Sequence, residues 1–473
     1  MVVIKTFTTP GGQYVYDRGR NSIIPTSTED FVSFMRIEAG VQEPHDLQML
    51  QRYQEKGYFV ENRLQEVVHS ATQHMRSYLN SHISQFTLQV SQFCNLNCSY
   101  CAYSGNYAHQ RTHSQETMSI EVMKKSIDFF MARSWDVDEV VISFYGGEPL
   151  LEIDLIKSSL TYIDEVYKGR AVRYVLTTNG TLLTDDVIQF FIENNFNVAI
   201  SLDGPKELHD KNRVYSNGKG SFDDIMQNCA YIKEHYPSFF SKLSFLSIVA
   251  PGVDFACVNE FFDADVVLND SVITTNIVND IGSTVEVMYD DLYLITSKYQ
   301  TMKTLMAELG MYSSAKTSKL FITTLSAVNN FYKSLSKGMG MYDKAHPSGP
   351  CLPGVMRPFV SADGSIYPCE RVAEGSDIMK IGHIDIGFDF DKIDAQLNVG
   401  KITEEECKAC WAFLHCNLCC VASDGGTEMS REMRLRRCEG VRNNVLSTLS
   451  TTCLFLESGY DFERKTTMSM KGD

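Results

Sequence analysis

Three cysteines fall within one short run, Cys94-Asn-Leu-Asn-Cys98-Ser-Tyr-Cys101. Thiolates at this spacing can chelate zinc or an iron-sulfur cluster. A structural zinc site closes with four ligands, so a zinc knuckle would need His109 or His113 to complete it. A four-iron cluster held by three thiolates keeps one iron free to bind a small molecule. Eight more cysteines (Cys351, Cys369, Cys407, Cys410, Cys416, Cys419, Cys420 and Cys438) crowd the span 351–438. Cys229, Cys257 and Cys453 stand apart in helical or mixed apolar contexts and are expected to be small buried hydrophobes. Fourteen cysteines in a chain of 473 residues with no signal-peptide pattern read as ligands rather than a disulfide framework.

The elements that must position these groups follow an alternating rhythm. Strand-like runs FTLQVSQ, EVVISFY, VRYVLTT, NVAIS, KLSFLSIV and SVITTNIV are separated by amphipathic helical patterns over 119–133, 151–168, 184–194, 221–234 and 255–264. Strand and helix repeated six times predict an α/β fold with a parallel sheet, curled by right-handed crossovers into a full or partial barrel. Functional residues should then follow strand C-termini. Cys94, Cys98 and Cys101 do so, directly after FTLQVSQ. The next strands end in Tyr145-Gly146-Gly147-Glu148-Pro149, in Thr177-Thr178-Asn179-Gly180 and in Ser201-Leu202-Asp203-Gly204, with Arg213 further on. Glycine lets backbone approach a ligand closely, and the arginine fork suits a carboxylate.

In this order and at these strand ends, the residues resemble the radical S-adenosylmethionine (SAM) enzymes. The resemblance implies that Cys94, Cys98 and Cys101 hold a 4Fe-4S cluster and that Gly146, Gly147, Glu148 and Pro149 receive the methionine amino group of SAM. It further implies that Thr178, Asn179 and Ser201 lie near the ribose or methionine part, that Arg213 pairs with the methionine carboxylate, and that Tyr100 lies beside adenine. The stretches Tyr103–Tyr107 and Arg111–His113 would line the substrate entrance or wrap the cluster.

The later cysteines resemble the SPASM extension of peptide-modifying radical SAM enzymes, which carries two auxiliary 4Fe-4S clusters. By that resemblance Cys407, Cys410, Cys416 and Cys438 ligate the outer cluster, and Cys351, Cys369 and Cys420 the inner one. The inner site is then one protein thiolate short and open to a substrate cysteine, unless Cys419 closes it. A metal-bound thiol is deprotonated and held in place, as carbon-sulfur bond formation requires.

Residues 1–82 show strands QYVYDR and NSIIPTS and helical patterns at 28–39 and 46–56. A third helical stripe is expected through Leu64, Val67, Val68, Ala71, Met75, Tyr78 and Leu79. A small sheet with three helices suggests a winged-helix-like module, similar to the recognition elements that bind leader peptides; a leader would add a strand beside NSIIPTS and touch the third helix. The expected organisation is this module (1–82), a partial (β/α)6 TIM-like radical SAM barrel (83–285), a helical bridge (286–349), a SPASM domain (350–445) and a tail (446–473).

With 43 basic and 59 acidic residues the net charge is -16, which disfavours nucleic acid because such binding relies on Lys and Arg displacing counterions. No apolar run reaches the ~18 residues of a membrane span, and a cytoplasmic location is expected. The resemblance implies that a reductant such as flavodoxin or ferredoxin supplies an electron, that SAM yields a 5'-deoxyadenosyl radical, and that this takes a hydrogen from a precursor peptide. A thioether between a cysteine sulfur and that carbon is the expected product. Rival outcomes are formylglycine formation, as in anaerobic sulfatase maturases, and carbon-carbon crosslinking. A cluster-bearing binding or electron-transfer protein is the alternative outside enzymes.

Overall fold

The computed structural model describes residues 2–268, 271–314, 317–335, 342–347 and 351–463. The chain opens with three antiparallel strands, β1 (Ile4–Thr9), β2 (Gly12–Asp17) and β3 (Ser22–Thr26), in that spatial order. Pro25 lies in β3, where an edge strand tolerates the missing N–H. Helices α1 (Thr28–Glu38) and α2 (Pro44–Glu55) follow, α1 capped by Ser27, whose side chain accepts from the Asp30 N–H. One sheet face buries Val15 and Ile24 against Phe34, Ile37, Met49, Leu50 and Phe59. The other face places Phe7 and Tyr16 on Val441, Val445 and Leu449 of the C-terminal helix. Each such burial stabilises by about 1.5–3 kcal/mol, so the first sheet is packed into the rest of the molecule.

The expected third helix is not formed as one element. Residues 66–67 are β4 (Glu66–Val67), residues 72–74 form a single 3-10 turn, and only α3 (Met75–Ser81) is α-helical. The cause is tertiary: Leu64 and Val67 are buried against Phe413, and β4 pairs in parallel with β11 (Lys344–Ala345). The third helix is thus shortened to Met75–Ser81, whose Met75 and Leu79 pack into the main core, and ENRLQEVVHS is no helical surface for a leader.

The barrel strands come next: β5 (Gln85–Ser91), β6 (Glu139–Gly146), β7 (Ala171–Thr178), β8 (Asn197–Ser201), β9 (Ser244–Val249) and β10 (Val272–Ile277). They pair in parallel and in sequence order, as a partial (β/α)6 barrel should. Their crossovers hold α4 (Ile120–Met131), α5 (Ile153–Val166), α6 (Asp185–Glu193), α7 (Lys206–Asn212), α8 (Phe222–His235), α9 (Pro237–Phe240) and α10 (Phe255–Ala264). Val140, Ile142 and Phe144 of β6 are fully buried in the main core, whereas the alternate residues Val141, Ser143 and Tyr145 are half-buried. The strand period of two thus separates a packed outer face from an inner face available to a ligand. Among the lone cysteines, Cys229 and Cys453 are buried as expected, but Cys257 is exposed near the start of α10.

The bridge carries α11 (Asp291–Glu308) and α12 (Ile322–Ser334). Beyond it, β12 (Phe359–Val360), β13 (Ser365–Tyr367), β14 (Gly382–His383) and β15 (Gly387–Phe388) extend the barrel sheet past β5, with Phe359 opposite Thr87 and Val360 opposite Leu88. The chain continues through α13 (Phe390–Leu397) and α14 (Glu404–Ala409) to α15 (Arg431–Glu457). The expected boundary at 445/446 lies inside α15, an uninterrupted helix, so residues 446–457 are no tail; residues 464–473 lie outside the described part. Among the described residues no helix is long and apolar enough to cross a membrane.

Candidate functional site

The polar strand ends meet at one mouth. Cys94, Cys98, Cys101, Gly146, Gly147, Glu148, Pro149, Thr178, Asn179, Ser201 and Arg213 line a single cavity, joined by Tyr145 and His113. Glycine is needed for proximity to the cysteine loop: a Cβ on Gly146 would lie 1.9 Å from the Ser91 carbonyl oxygen, and one on Gly147 2.1 Å from that of Phe93. The Gly147 and Glu148 N–H groups donate to those same carbonyls at 2.8 and 2.9 Å.

Glu148 is buried and holds three partners: it accepts from the Leu150 N–H at 3.1 Å, the Thr178 hydroxyl at 2.8 Å and the Asn179 N–H at 2.7 Å. Burial pushes its carboxyl up to about 7 against the pull of these hydrogen bonds. Asn179 donates to Asn95 Oδ1 at 2.8 Å and accepts from the Thr181 hydroxyl at 2.7 Å, so it braces the cysteine loop. Arg213 Nε donates to Asp203 Oδ2 at 3.0 Å, and its guanidinium lies 5.5 Å from the centre of the Tyr100 ring. Tyr100 also bonds Asp203 through its hydroxyl and is absent from the cavity lining. Sequence reasoning gave Asp203 no role, yet it holds Arg213, Tyr100 and the Ile248 N–H. The signal was a carboxylate at a strand end ten residues before an arginine.

The stretch after Cys101 acts as a strap. The Ala108 N–H donates to Gly282 O at 2.7 Å, the Gly375 N–H to His109 O at 2.8 Å, and Arg111 Nε to Glu374 at 3.0 Å. These bonds join the cluster loop to the segment after β10 and to the C-terminal region.

The later cysteines form two groups. Cys407, Cys410, Cys416 and Cys438 line one cavity of about 250 Å³ with Phe413, Leu418 and Arg434, several times the ~30 Å³ share of one water. Arg434 is buried, and its Nη2 has no hydrogen-bond partner among the described residues. An anionic multi-atom group would satisfy that orphan. The second group contains Cys351, Cys369 and Cys420, and also Cys419. The Cys420 thiol is pushed up by its hydrogen bond to Cys419, by burial, and by neighbouring Cys369 and Cys351; Cys419 is pulled down by the same hydrogen bond. Cys419, left open by the sequence as a fourth ligand, thus lies beside Cys420 and near Cys351.

These donor sets fit iron-sulfur clusters better than single ions. Four sulfurs on one zinc at about 2.3 Å lie about 3.8 Å apart. Among the described residues, the only group of three or more His, Cys, Asp or Glu ligand atoms within 4.8 Å of one another is Glu43, His45 and Asp46. Burial also raises Cys94 to about 12 and Cys98 to about 11, so both stay neutral thiols until a metal centre binds and deprotonates them.

Residues 88–264 match the model of the Radical SAM superfamily. The serine-type anaerobic sulfatase-maturating enzyme of Bacteroides thetaiotaomicron is 36% identical over 147 residues, 31% of this chain and 35% of that protein. A cysteine-type anaerobic sulfatase-maturating enzyme of Clostridium perfringens is 23% identical over 357 residues, 69% of this chain and 85% of that protein. The matches span 35%, 41% and 48% of the first three curated relatives. The solved structure of native anSMEcpe with bound AdoMet superimposes with a TM-score of 0.55 at 20% identity, over 77% of this chain and 99% of that one; this likeness shows the shared fold. The cavity at the barrel mouth is lined by residues of the matched segment, and residues 88–264 are a radical SAM domain.

Proposed function

We propose that the chain is a peptide maturase that joins a cysteine sulfur of a ribosomally made precursor to a carbon of the same peptide. Bound SAM and three 4Fe-4S clusters would supply the one-electron chemistry. Cys94, Cys98 and Cys101 would hold the first cluster, Arg213 and the Gly146–Pro149 turn would orient SAM, and the two later cysteine groups would hold the others. Tyr145 lines the barrel-mouth cavity and meets Phe359 edge-on with ring centres 6.2 Å apart, in the apolar cluster that also holds Cys420. A peptide held there would lie between the SAM site and the inner cysteines.

The observation that carries this reading is the N-terminal sheet, docked on the cysteine-bearing C-terminal region. β3 is an edge strand of the three-stranded sheet, paired with β2, and a leader strand could add along its other side at Ile23 and Ile24, short of Pro25. Residues 1–80 contribute to the core beside α15, so the leader should be deleted from the peptide and the enzyme left whole. The test is co-expression with a cysteine-containing peptide encoded beside the gene. A thioether product loses two hydrogens and one alkylatable thiol per crosslink; a peptide lacking its leader stays unmodified. Full retention of alkylatable thiols in the modified peptide would overturn the reading.

Formylglycine formation is the second reading, supported by the sulfatase-maturating relatives and by Cys419 beside the inner group. A hydrazide-reactive aldehyde in the product would favour it. A Cys419→Ala variant separates the roles of the fourth thiol: loss of inner-site iron marks it as a ligand, whereas full iron marks the site as open.

A further inference from the structure

Arg18 is the first residue after β2 and is only 1% exposed. Its Nη1 donates to the carbonyls of Lys408 at 2.6 Å and Cys410 at 3.2 Å. Its guanidinium lies 5.9 Å from the centre of the Phe413 ring. Nε and Nη2 are buried without hydrogen-bond partners among the described residues. The neighbouring Asp17 accepts from the Phe59 N–H at 2.7 Å and so faces another partner.

Further contacts converge on the same segment. Asn62 donates to Lys408 O at 3.0 Å, and Asn21 Oδ1 accepts from the Tyr16 hydroxyl at 2.7 Å and bonds His415 Nε2 at 2.8 Å. Tyr16 meets Trp411 edge-on with ring centres 6.3 Å apart. All of these land between Cys407 and Cys416, two of the cavity-lining cysteines. A buried cation with unused donors is unfavourable unless an anion compensates it.

We infer that Arg18 is a positioning residue for the outer cysteine site, clamping the Cys407–Cys410 turn from the N-terminal sheet and lending a buried positive charge to the anionic group the four thiolates hold. The inference rests on reading that site as a cluster site. It makes the N-terminal sheet part of the redox centre as well as a docking surface.

The test uses full-length, anaerobically reconstituted protein with iron and sulfide counted, and a potentiometric titration followed by electron paramagnetic resonance. A Cys438→Ala variant assigns the outer signal. A nearby cation favours the reduced, more negative cluster, so Arg18→Gln should lower the outer potential. The expected shift is a tenfold or larger fall in the reduced-to-oxidised ratio, about 59 mV for one electron, with the other signals unmoved. Arg18→Lys keeps the charge and should recover most of the shift. Loss of outer iron alone in Arg18→Gln, with retention in Arg18→Lys, also supports the role. An unmoved outer potential in Arg18→Gln at full iron overturns it, as does equal loss of iron from every site in both variants. Wild-type protein without iron at these four cysteines would instead overturn the cluster reading itself.

Discussion

The Asn179 backbone N–H donates to Glu148 Oε2 at 2.7 Å, tying the end of β7 to the turn after β6 beneath the Cys94 loop. The Gly146–Pro149 turn places a carboxylate here, and the structure shows what it holds: two backbone N–H groups and the Thr178 hydroxyl, all removed from water.

Replacing Glu148 by Ala strands those donors. Each buried unsatisfied group costs about 1–3 kcal/mol, so urea denaturation of the metal-free protein should show a loss of at least ~2 kcal/mol, and SAM binding should weaken. A variant as stable as wild type would show that the three hydrogen bonds are dispensable.

Glu148 also gives stability a pH dependence. Its carboxyl rises from 4.5 to about 7 on folding, so between those values the folded state keeps a proton the unfolded state has lost. Wild-type stability should therefore fall as pH rises through this window, by at most ~1.4 kcal/mol per pH unit from this group, and level off above it. Glu148→Gln should remove that component. Denaturation midpoints of both proteins measured from pH 4.5 to 8 decide the matter; parallel curves would contradict it.

Gly147→Ala introduces a Cβ 2.1 Å from the Phe93 carbonyl oxygen and 2.8 Å from the Cys94 nitrogen. Backbone must move, and the loop carrying the cysteine triplet moves with it. The expected result is loss of one cluster's share of iron and of SAM cleavage, with the C-terminal sites still loaded. Full iron and unchanged cleavage would refute the steric argument.

Gly426 has φ +87°, and a Cβ on it would lie 2.7 Å from the His109 ring. Gly426→Ala should loosen the strap: hydrogen exchange should accelerate in 103–113 and 372–376, while β6 and β7 keep their protection. Uniform protection would mean the strap does not depend on this contact.

Asp203→Asn leaves the Arg213 guanidinium buried without its counter-charge. Removing one partner of a buried pair costs about 3–5 kcal/mol, and Asn, which still accepts a hydrogen bond, should fall at the low end. Calorimetric SAM titration should show weakened binding as Arg213 loses its orientation. Unaltered stability and affinity would assign Asp203 no part in the site.

The barrel was legible because alternating strands and amphipathic helices leave two distinct periods, and the strand-end residues fell where that alternation placed them. Legibility failed where tertiary contacts outweighed local pattern. Leu64, Val67, Val68 and Ala71 have helical spacing, yet pairing of β4 with β11 holds Val67 extended, and Leu64 and Val67 are both buried against Phe413. Helix α15 escaped notice because its buried face includes Arg434 and Thr452 among the apolar residues, which blurs any hydrophobic stripe. Strands β12 to β15 are two or three residues long, too short to show alternation. Cys419 could not be assigned from spacing, since it adjoins Cys420 in sequence and only the fold brings it near Cys351.

The account depends on the Cys94, Cys98 and Cys101 triplet presenting a site-differentiated iron to SAM beside Gly146 and Arg213. The most direct measurement is SAM turnover in anaerobically reconstituted, dithionite-reduced protein. The account predicts 5'-deoxyadenosine and methionine from the wild type and none from Cys98→Ala. Absence of 5'-deoxyadenosine from fully iron-loaded wild type, or equal amounts from both proteins, would contradict it.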